Sequence, residues 1–302
     1  MSPTTPADPA PTAYLVDASP YVFRAYFSLP SSITTPAGEP ANAVYGFTSF
    51  LLKLLADEDP SHLAVAFDES LTTSFRNDLF PAYKAQREPP PAELEAQLAA
   101  CREVAEALGA ATFADAVYEA DDLIATLAER LPERARGVVV SGDKDLAQLV
   151  SERVELYDFA RGERLGPAEV AEKFGVEPRQ VADLLALQGD AVDNIPGVPG
   201  VGAKTARALL ARFADLDDLY RRLGEVEGLA LRGAGSLAAR LEAHRATALL
   251  CRRLATVVSD VPLAAGFDDL IWTGADRPRT EAVFDRLGFG RIRDRVPRWK
   301  GE

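Results

Sequence analysis

Nine carboxylates sit where a fold could turn them toward one place. They fall in five short runs: Asp17 closes YLVD, Asp68 lies in AFDES, Glu119, Asp121 and Asp122 in YEADD, Asp143 and Asp145 in SGDKDL, and Asp190 and Asp193 in GDAVDN. Any one of them has an ordinary explanation as a cap or a solvated turn. If they converge in a partly desolvated cleft, their mutual repulsion is severe, and bound divalent cations are the natural remedy. The donors are all oxygen and the chain has only two histidines, so the pattern favours Mg²⁺ or Mn²⁺ over Zn²⁺. The three-residue spacings of Glu119 with Asp122 and of Asp190 with Asp193 place each pair on one helix face. An EF-hand counted from Asp143 fails, because Gln148 stands where glycine is required and Val154 where the bidentate glutamate belongs.

Immediately after the last acids comes NIPGVPGVGAKTA, residues 194 to 206. It is not a Walker A loop, since Ala203 occupies the lysine position, and no strand or third glycine supports a dinucleotide site. The run fits a helix-hairpin-helix turn between helices near 181–187 and 203–213. Its glycines let the backbone approach a phosphate, the following helix supplies N–H donors, and Lys204 adds a charge. A turn with no ligand is the plainer alternative. A second basic stretch, about 71–91, interleaves Arg76, Lys84 and Arg87 with Phe75, Phe80 and Tyr83. It reads either as a solvated loop or as a flap for a phosphate strand with exposed bases.

The elements that must position these residues alternate between strand and helix. Tyr14–Val16, Leu63–Phe67, Gly137–Val140 and Val154–Tyr157 read as buried strands, the first three stopping at or near an aspartate. Helical spacing covers Ala43–Leu55, Pro91–Leu108 and the segment from Glu119. From Gly166 onward the chain reads as helical: Pro167–Phe174, Pro178–Leu187, Ala203–Phe213, Leu216–Leu223, Ser236–Val258 and Arg279–Leu287. The expected fold is therefore α/β, a central mostly parallel sheet flanked by helices, over residues 13–160. A proline-rich disordered leader, 1–12, precedes it, and a helical region, 161–302, follows. In such sheets ligands gather at the carboxyl ends of the strands.

Composition sets the remaining bounds. The 302 residues are 47% hydrophobic, enough for a substantial core. The net charge of −13 argues on average against a nucleic-acid partner, although a pocket of acids holding cations distorts that average. Cys101 and Cys251 show no CxxC spacing, in keeping with a reduced compartment. No signal peptide and no apolar run of about 20 residues is present, so a soluble, cytoplasmic protein with no membrane association is expected.

Taken together, YLVD, GEPANAVYGF, AFDES, SFRNDLFPAYKAQR, YEADD, SGDKDL and GDAVDNIPGVPGVGAKTA resemble the 5′-nuclease domain of bacterial DNA polymerase I and its stand-alone relatives, within the flap-endonuclease superfamily. They occur in the family's order from about Tyr14 to Phe289. The resemblance implies a two-metal phosphodiesterase, a 5′-3′ exonuclease and 5′-flap endonuclease with a PIN-like core. All nine acids would occupy its metal-cluster positions for two Mg²⁺ ions, with Mn²⁺ able to substitute. Lys84 and Arg87 would be the catalytic cations of its arch. Arg24 and Arg76, with Gly200, Gly202, Lys204 and Thr205 of the hairpin, would join them on DNA. It further implies K⁺ at the hairpin, a DNA duplex with a 5′ end or flap (RNA-primed included) as partner, and roles in replication or repair. A free-standing monomer is expected. The family's usual glycine after the first aspartate is Ala18 here, followed by Ser19-Pro20, which leaves that loop's shape open. Two rivals stand beside this reading, a DNA-junction binder without catalysis and a PIN-like ribonuclease, the latter lacking the hairpin module.

Overall fold

A computed structural model describes residues 10–69, 73–231 and 234–302. In chain order the elements are β1 (Thr12–Asp17), α1 (Ser19–Ser28), α2 (Asn42–Glu58), β2 (His62–Asp68), α3 (Phe75–Leu79), α4 (Ala92–Ala107), β3 (Ala111–Asp115), α5 (Ala120–Glu129), β4 (Arg136–Val140), β5 (Val154–Asp158) and β6 (Glu163–Leu165). Helices then follow: α6 (Pro167–Phe174), α7 (Val181–Gln188), α8 (Ala203–Leu210), α9 (Leu216–Arg221), α10 (Ala234–Ala243), α11 (Arg245–Ala255) and α12 (Arg277–Leu287).

The strands form one sheet in the order β3-β2-β1-β4-β5-β6, parallel except for β6. The chain builds outward from β1 through β2 to β3, then crosses back to lay β4 on the other side of β1. The strand order therefore reverses between β1 and β4, and the crevice there is where a ligand fits in an open α/β sheet. Both sheet faces are covered, as a parallel sheet requires, so β1 and β2 read as unbroken buried runs. Alternation along β1 feeds two cores: Ala13 and Leu15 point to one with α5, α7 and α11, while Tyr14 and Val16 point to another with α2, α4 and α12. In α2 the periodic Phe47, Leu51, Leu54 and Leu55 are essentially inaccessible, each contributing about 1.5–3 kcal/mol of burial.

The structure departs from the sequence reading in several places. Helix α1 was not expected; Pro20 lies in its first turn, where the missing N–H costs nothing. Ala18 is right-handed with φ −74°, so no glycine is needed there and the loop simply enters the helix. Strand β3 is an additional, half-buried strand, and the sheet continues past residue 160 to Leu165. The expected helix Ser236–Val258 is two helices, broken at His244. Of the expected leader, residues 1–9 lie outside the described residues, whereas Pro11 accepts the Arg136 N–H and Thr12 opens β1. Among the described residues, no helix is long and apolar enough to cross a membrane.

Candidate active site

The strand ends deliver the first acids to the β1/β4 crevice. Asp17, buried at the end of β1, accepts Ser141 Oγ (2.8 Å) and the Ser19 N–H (3.2 Å). Asp68, at the end of β2, accepts Ser19 Oγ (2.6 Å) and the Ala120 N–H (2.9 Å), which draws the start of α5 toward it. Asp143 is set by its N–H donating to Ser141 Oγ and by its Oδ1 accepting the Asp145 N–H. Asp17, Asp68, Glu119, Asp121 and Asp143 all line one cavity of about 440 Å³. Lys84 and Arg87 enter it from one side, and Phe23 and Phe27 form its apolar wall. Another cavity of about 400 Å³, at the amino ends of β1, β4 and β5, gathers no such set of acids.

Two sequence expectations are corrected at α5. Glu119 is its N-cap and donates its N–H to Asp122, and both carboxylates face Arg76, whose Nη1 lies 2.7 Å from Asp122 and 3.9 Å from Glu119. Asp122 has no exposed surface: it accepts Arg76 Nη1 (2.7 Å) and Nη2 (2.8 Å), the Val258 N–H (2.7 Å) and the Glu119 N–H (3.1 Å). With its acceptor sites filled it is not a direct metal ligand. Arg76, 2% exposed and committed to Asp122 and the carbonyls of Leu254 and Thr256, cannot lie on DNA. This bidentate pair is charge-assisted at both ends, and removing one partner would strand a buried charge at about 3–5 kcal/mol.

The basic stretch is not simply a solvated loop; residues 71–72 of it lie outside the described residues, and the part around Lys84 is packed on the second acid pair. Lys84 N–H donates to the Asp193 carbonyl, Gln86 Nε2 to the Ala191 and Val192 carbonyls, and Asn194 Nδ2 to the Ala82 carbonyl. Lys84 (φ 53°) and Asn194 (φ 57°) both hold left-handed backbone. Lys84 Nζ is 2.8 Å from Glu119 and 3.8 Å from Asp193, and Arg87 Nη2 donates to Asp193 at 2.6 Å. Tyr83, only 3% exposed, donates its hydroxyl within reach of both Glu119 (3.2 Å) and Asp193 (3.1 Å). Asp190 and Asp193 lie in a turn closed by the Asp190–Ile195 backbone pair, not on a helix, and Asp190 accepts Lys144 Nζ at 2.6 Å.

Burial opposes ionisation throughout the site, and basic partners overcome it at Glu119 but not at Asp145 or Asp193. Burial pushes Glu119 up, yet Lys84 and Arg76 more than offset it and hold it below the usual carboxylate range. Burial, then the neighbouring Asp68, pushes Asp17 up to about 8. Burial with Asp143 and Asp17 raises Asp121 well above its ordinary value, and burial with Asp143 raises Asp145 to about 7. Asp145 Oδ1 is buried without a hydrogen-bond partner. Among the described residues no three such side chains stand together as they would around a metal ion. The donor set nonetheless fits hard cations: all-oxygen ligands, carboxylates raised by one another's charge, and a buried Asp145 Oδ1 with no hydrogen-bond donor and only Lys144 Nζ at 3.6 Å.

The hairpin joins α7 to α8, with Gly189, Gly197 and Gly200 at φ 80°, 66° and 76°. Val198 N–H donates to the Leu187 carbonyl, fixing the turn on the end of α7. Gly202 is the N-cap of α8, and a Cβ placed there would meet nothing within 4 Å. Gly200, Gly202, Ala203 and Lys204 are exposed, Thr205 is half-buried, and Arg24 is exposed on α1. Sequence reasoning missed Ser19, Ser141 and Lys144, and read Tyr83 as a ring for a base where its hydroxyl bonds Glu119 and Asp193. The signal for the first three was adjacency: each stands within two residues of an acid already singled out.

Two family models divide the chain between them: the N-terminal resolvase-like domain of 5′-3′ exonucleases over residues 12–175, and their C-terminal SAM fold over 176–278. The chain is 41% identical to DNA polymerase I of Bacillus caldotenax over 91% of its length, and 42% identical to that of Mycobacterium leprae over 95%. In both cases it spans about a third (31%) of the relative's length. Its fold resembles a T5 5′-exonuclease described with bound zinc (TM-score 0.65, 22% identity, 91% of this chain and 99% of that one). It also resembles the flap endonuclease-1 of Methanococcus jannaschii (TM-score 0.58, 15% identity, 95% and 91%). With both domain models matched in order and the acids of the first gathered in one crevice, the chain belongs to the 5′-3′ exonuclease family of nucleases.

Proposed function

We propose that this chain is a divalent-metal-dependent 5′-3′ exonuclease and 5′-flap endonuclease acting on DNA. The observation that carries this reading is the convergence of Asp17, Asp68, Glu119, Asp121 and Asp143 on one cavity that Lys84 and Arg87 also enter. Asp145, Asp190 and Asp193 extend that acid surface toward the hairpin. When bound, two Mg²⁺ ions supply an activated water and charge stabilisation at the leaving oxygen. The protein's part is placement. Ser19 and Ser141 fix the carboxylates of Asp68 and Asp17, so the ligand oxygens are set before substrate arrives.

Lys84 and Arg87 now neutralise Glu119 and Asp193; an entering phosphate would exchange places with those carboxylates and take the same two cations onto its non-bridging oxygens. Phe27, 75% exposed on the cavity wall, offers a ring to an unpaired base. The Gly200–Lys204 turn and the start of α8 would hold duplex backbone without reading sequence. The whole reading fits primer removal or repair.

The test is cleavage of a 5′-flap duplex with Mg²⁺, alongside Asp143→Ala and an RNA substrate. Flap cleavage that disappears with Asp143→Ala is the expected result. Tight duplex binding with no product would favour the junction binder, and preference for RNA the ribonuclease.

A further inference from the structure

The exit of α11, residues 254–258, is tied to both acid-bearing turns by two side chains that the reading above leaves without a task. Arg76 donates through Nε to the Leu254 carbonyl and through Nη2 to the Thr256 carbonyl while gripping Asp122 at the start of α5. Val258 N–H completes that grip by donating to Asp122 Oδ1. On the other side Gln148 Nε2 donates to the Ala255 carbonyl (3.0 Å) and to the carbonyl of Asp145 itself (2.8 Å). Gln148 Oε1 accepts the Val257 N–H (3.1 Å). The strap is therefore fastened to the Glu119–Asp122 turn by one residue and to the Asp143–Asp145 turn by the other. At its far end α11 packs along α7, and Cys251 lies against the backbone of Gly197 in the hairpin.

We infer that Arg76 and Gln148 are positioning residues: through the 254–258 strap they hold the two acid-bearing turns in register for metal binding. The inference rests on the nuclease reading for its purpose but not for its measurement. Neither residue lines the cavity where the acids converge. Their action is that of outer-shell partners, whose loss elsewhere costs 10–100-fold in metal affinity or rate. Gln148 is the more tractable position, being half-buried and uncharged, whereas Arg76→Lys leaves a buried carboxylate with a poorer partner.

The experiment compares wild type, Gln148→Leu, Gln148→Glu and Arg76→Lys in three measurements: Mn²⁺ binding without DNA, duplex binding in EDTA, and single-turnover flap cleavage at saturating duplex. For Gln148→Leu we expect Mn²⁺ affinity and cleavage rate each to fall about 10–100-fold, with duplex affinity within twofold of wild type. Gln148→Glu, which keeps the acceptor for Val257 but sets a carboxylate against the Asp145 and Ala255 carbonyls, should fall at least as far. Unchanged Mn²⁺ affinity and rate with only a lowered melting temperature would overturn the inference, as would a loss of duplex affinity alone. A wild type that binds Mn²⁺ but does not cleave would sink the nuclease reading, while the Mn²⁺ titrations still decide this one.

Discussion

Substituting alanine separately at two glycines of the hairpin separates what holds the turn together from what it presents. At Gly197 an added Cβ would lie 2.3 Å from Gly189 N and 2.7 Å from Gln188 C and Gly189 Cα. Those are backbone atoms of the opposite arm, and they cannot swing aside. The residue also stands at φ 66°, which costs an L-residue about 1–2 kcal/mol. Forcing the arms apart adds about 1–3 kcal/mol, as in overpacked cores. Gly197→Ala should therefore lose about 2–5 kcal/mol of stability. With a urea slope of about 3 kcal/mol/M for a chain of this size, the unfolding midpoint should drop by about 1 M. Gly202 has φ −92° and open space around the added Cβ, so Gly202→Ala should cost no more than about 1 kcal/mol, chiefly from a poorer N-cap. Gly202→Val, filling the same open surface, should weaken duplex binding in EDTA while leaving Mn²⁺ affinity intact. A Gly197→Ala protein that unfolds at the wild-type midpoint would refute the packing argument. Equal destabilisation at Gly202 would refute the assignment of that surface to a ligand.

Other expectations concern charge. Lys84→Met should lower single-turnover cleavage by about 10²–10³, the usual cost of losing one transition-state charge partner, with duplex affinity in EDTA little changed; a rate within threefold of wild type would remove Lys84 from the reaction. Mg²⁺ at 100 times its dissociation constant should stabilise the fold by about 2.7 kcal/mol per site, and calorimetric melting with and without Mg²⁺ should show this gain shrink in Asp17→Asn and Asp68→Asn. His62, stacked on Phe267, is held below its ordinary value of 6.5 by burial. The unfolded chain then takes up a proton that the folded one refuses, so stability should decline as pH falls through about 6.5 and level off below the folded value. His62→Phe should keep the stack and flatten that part of the urea-midpoint profile.

Much of this site was legible because strand-end acids report on a sheet edge directly: Asp17, Asp68 and Asp143 follow buried runs whose direction fixes where they point. Asp122 and Arg76 were misread because spacing gives the helix face but not the partner. Their pairing spans 46 residues of chain, and only the fold shows that they satisfy each other. Asp190 and Asp193 were placed on a helix by the same periodicity, although a turn of the Gly189–Ile195 kind brings acids together equally well. Strand β3 escaped notice because its residues are all half-buried, so ATFAD lacks the unbroken apolar run of an inner strand. The packing of the basic stretch was invisible for a different reason: it depends on side-chain amides, Gln86 and Asn194, bonding to carbonyls about a hundred residues away.

The two family segments meet between residues 175 and 176, yet the hydrophobic core ignores that joint. One continuous cluster contains Leu15, Val139 and Leu146 from the sheet side together with Leu184, Leu209, Leu241 and Leu254 from the helical side. Each segment thus supplies part of the other's interior. The helical part cannot have been inherited, exchanged or produced as an independent cassette without leaving a raw apolar face on its counterpart. What looks like two modules in sequence shares one interior, so separating them at residue 175 should expose apolar surface on both.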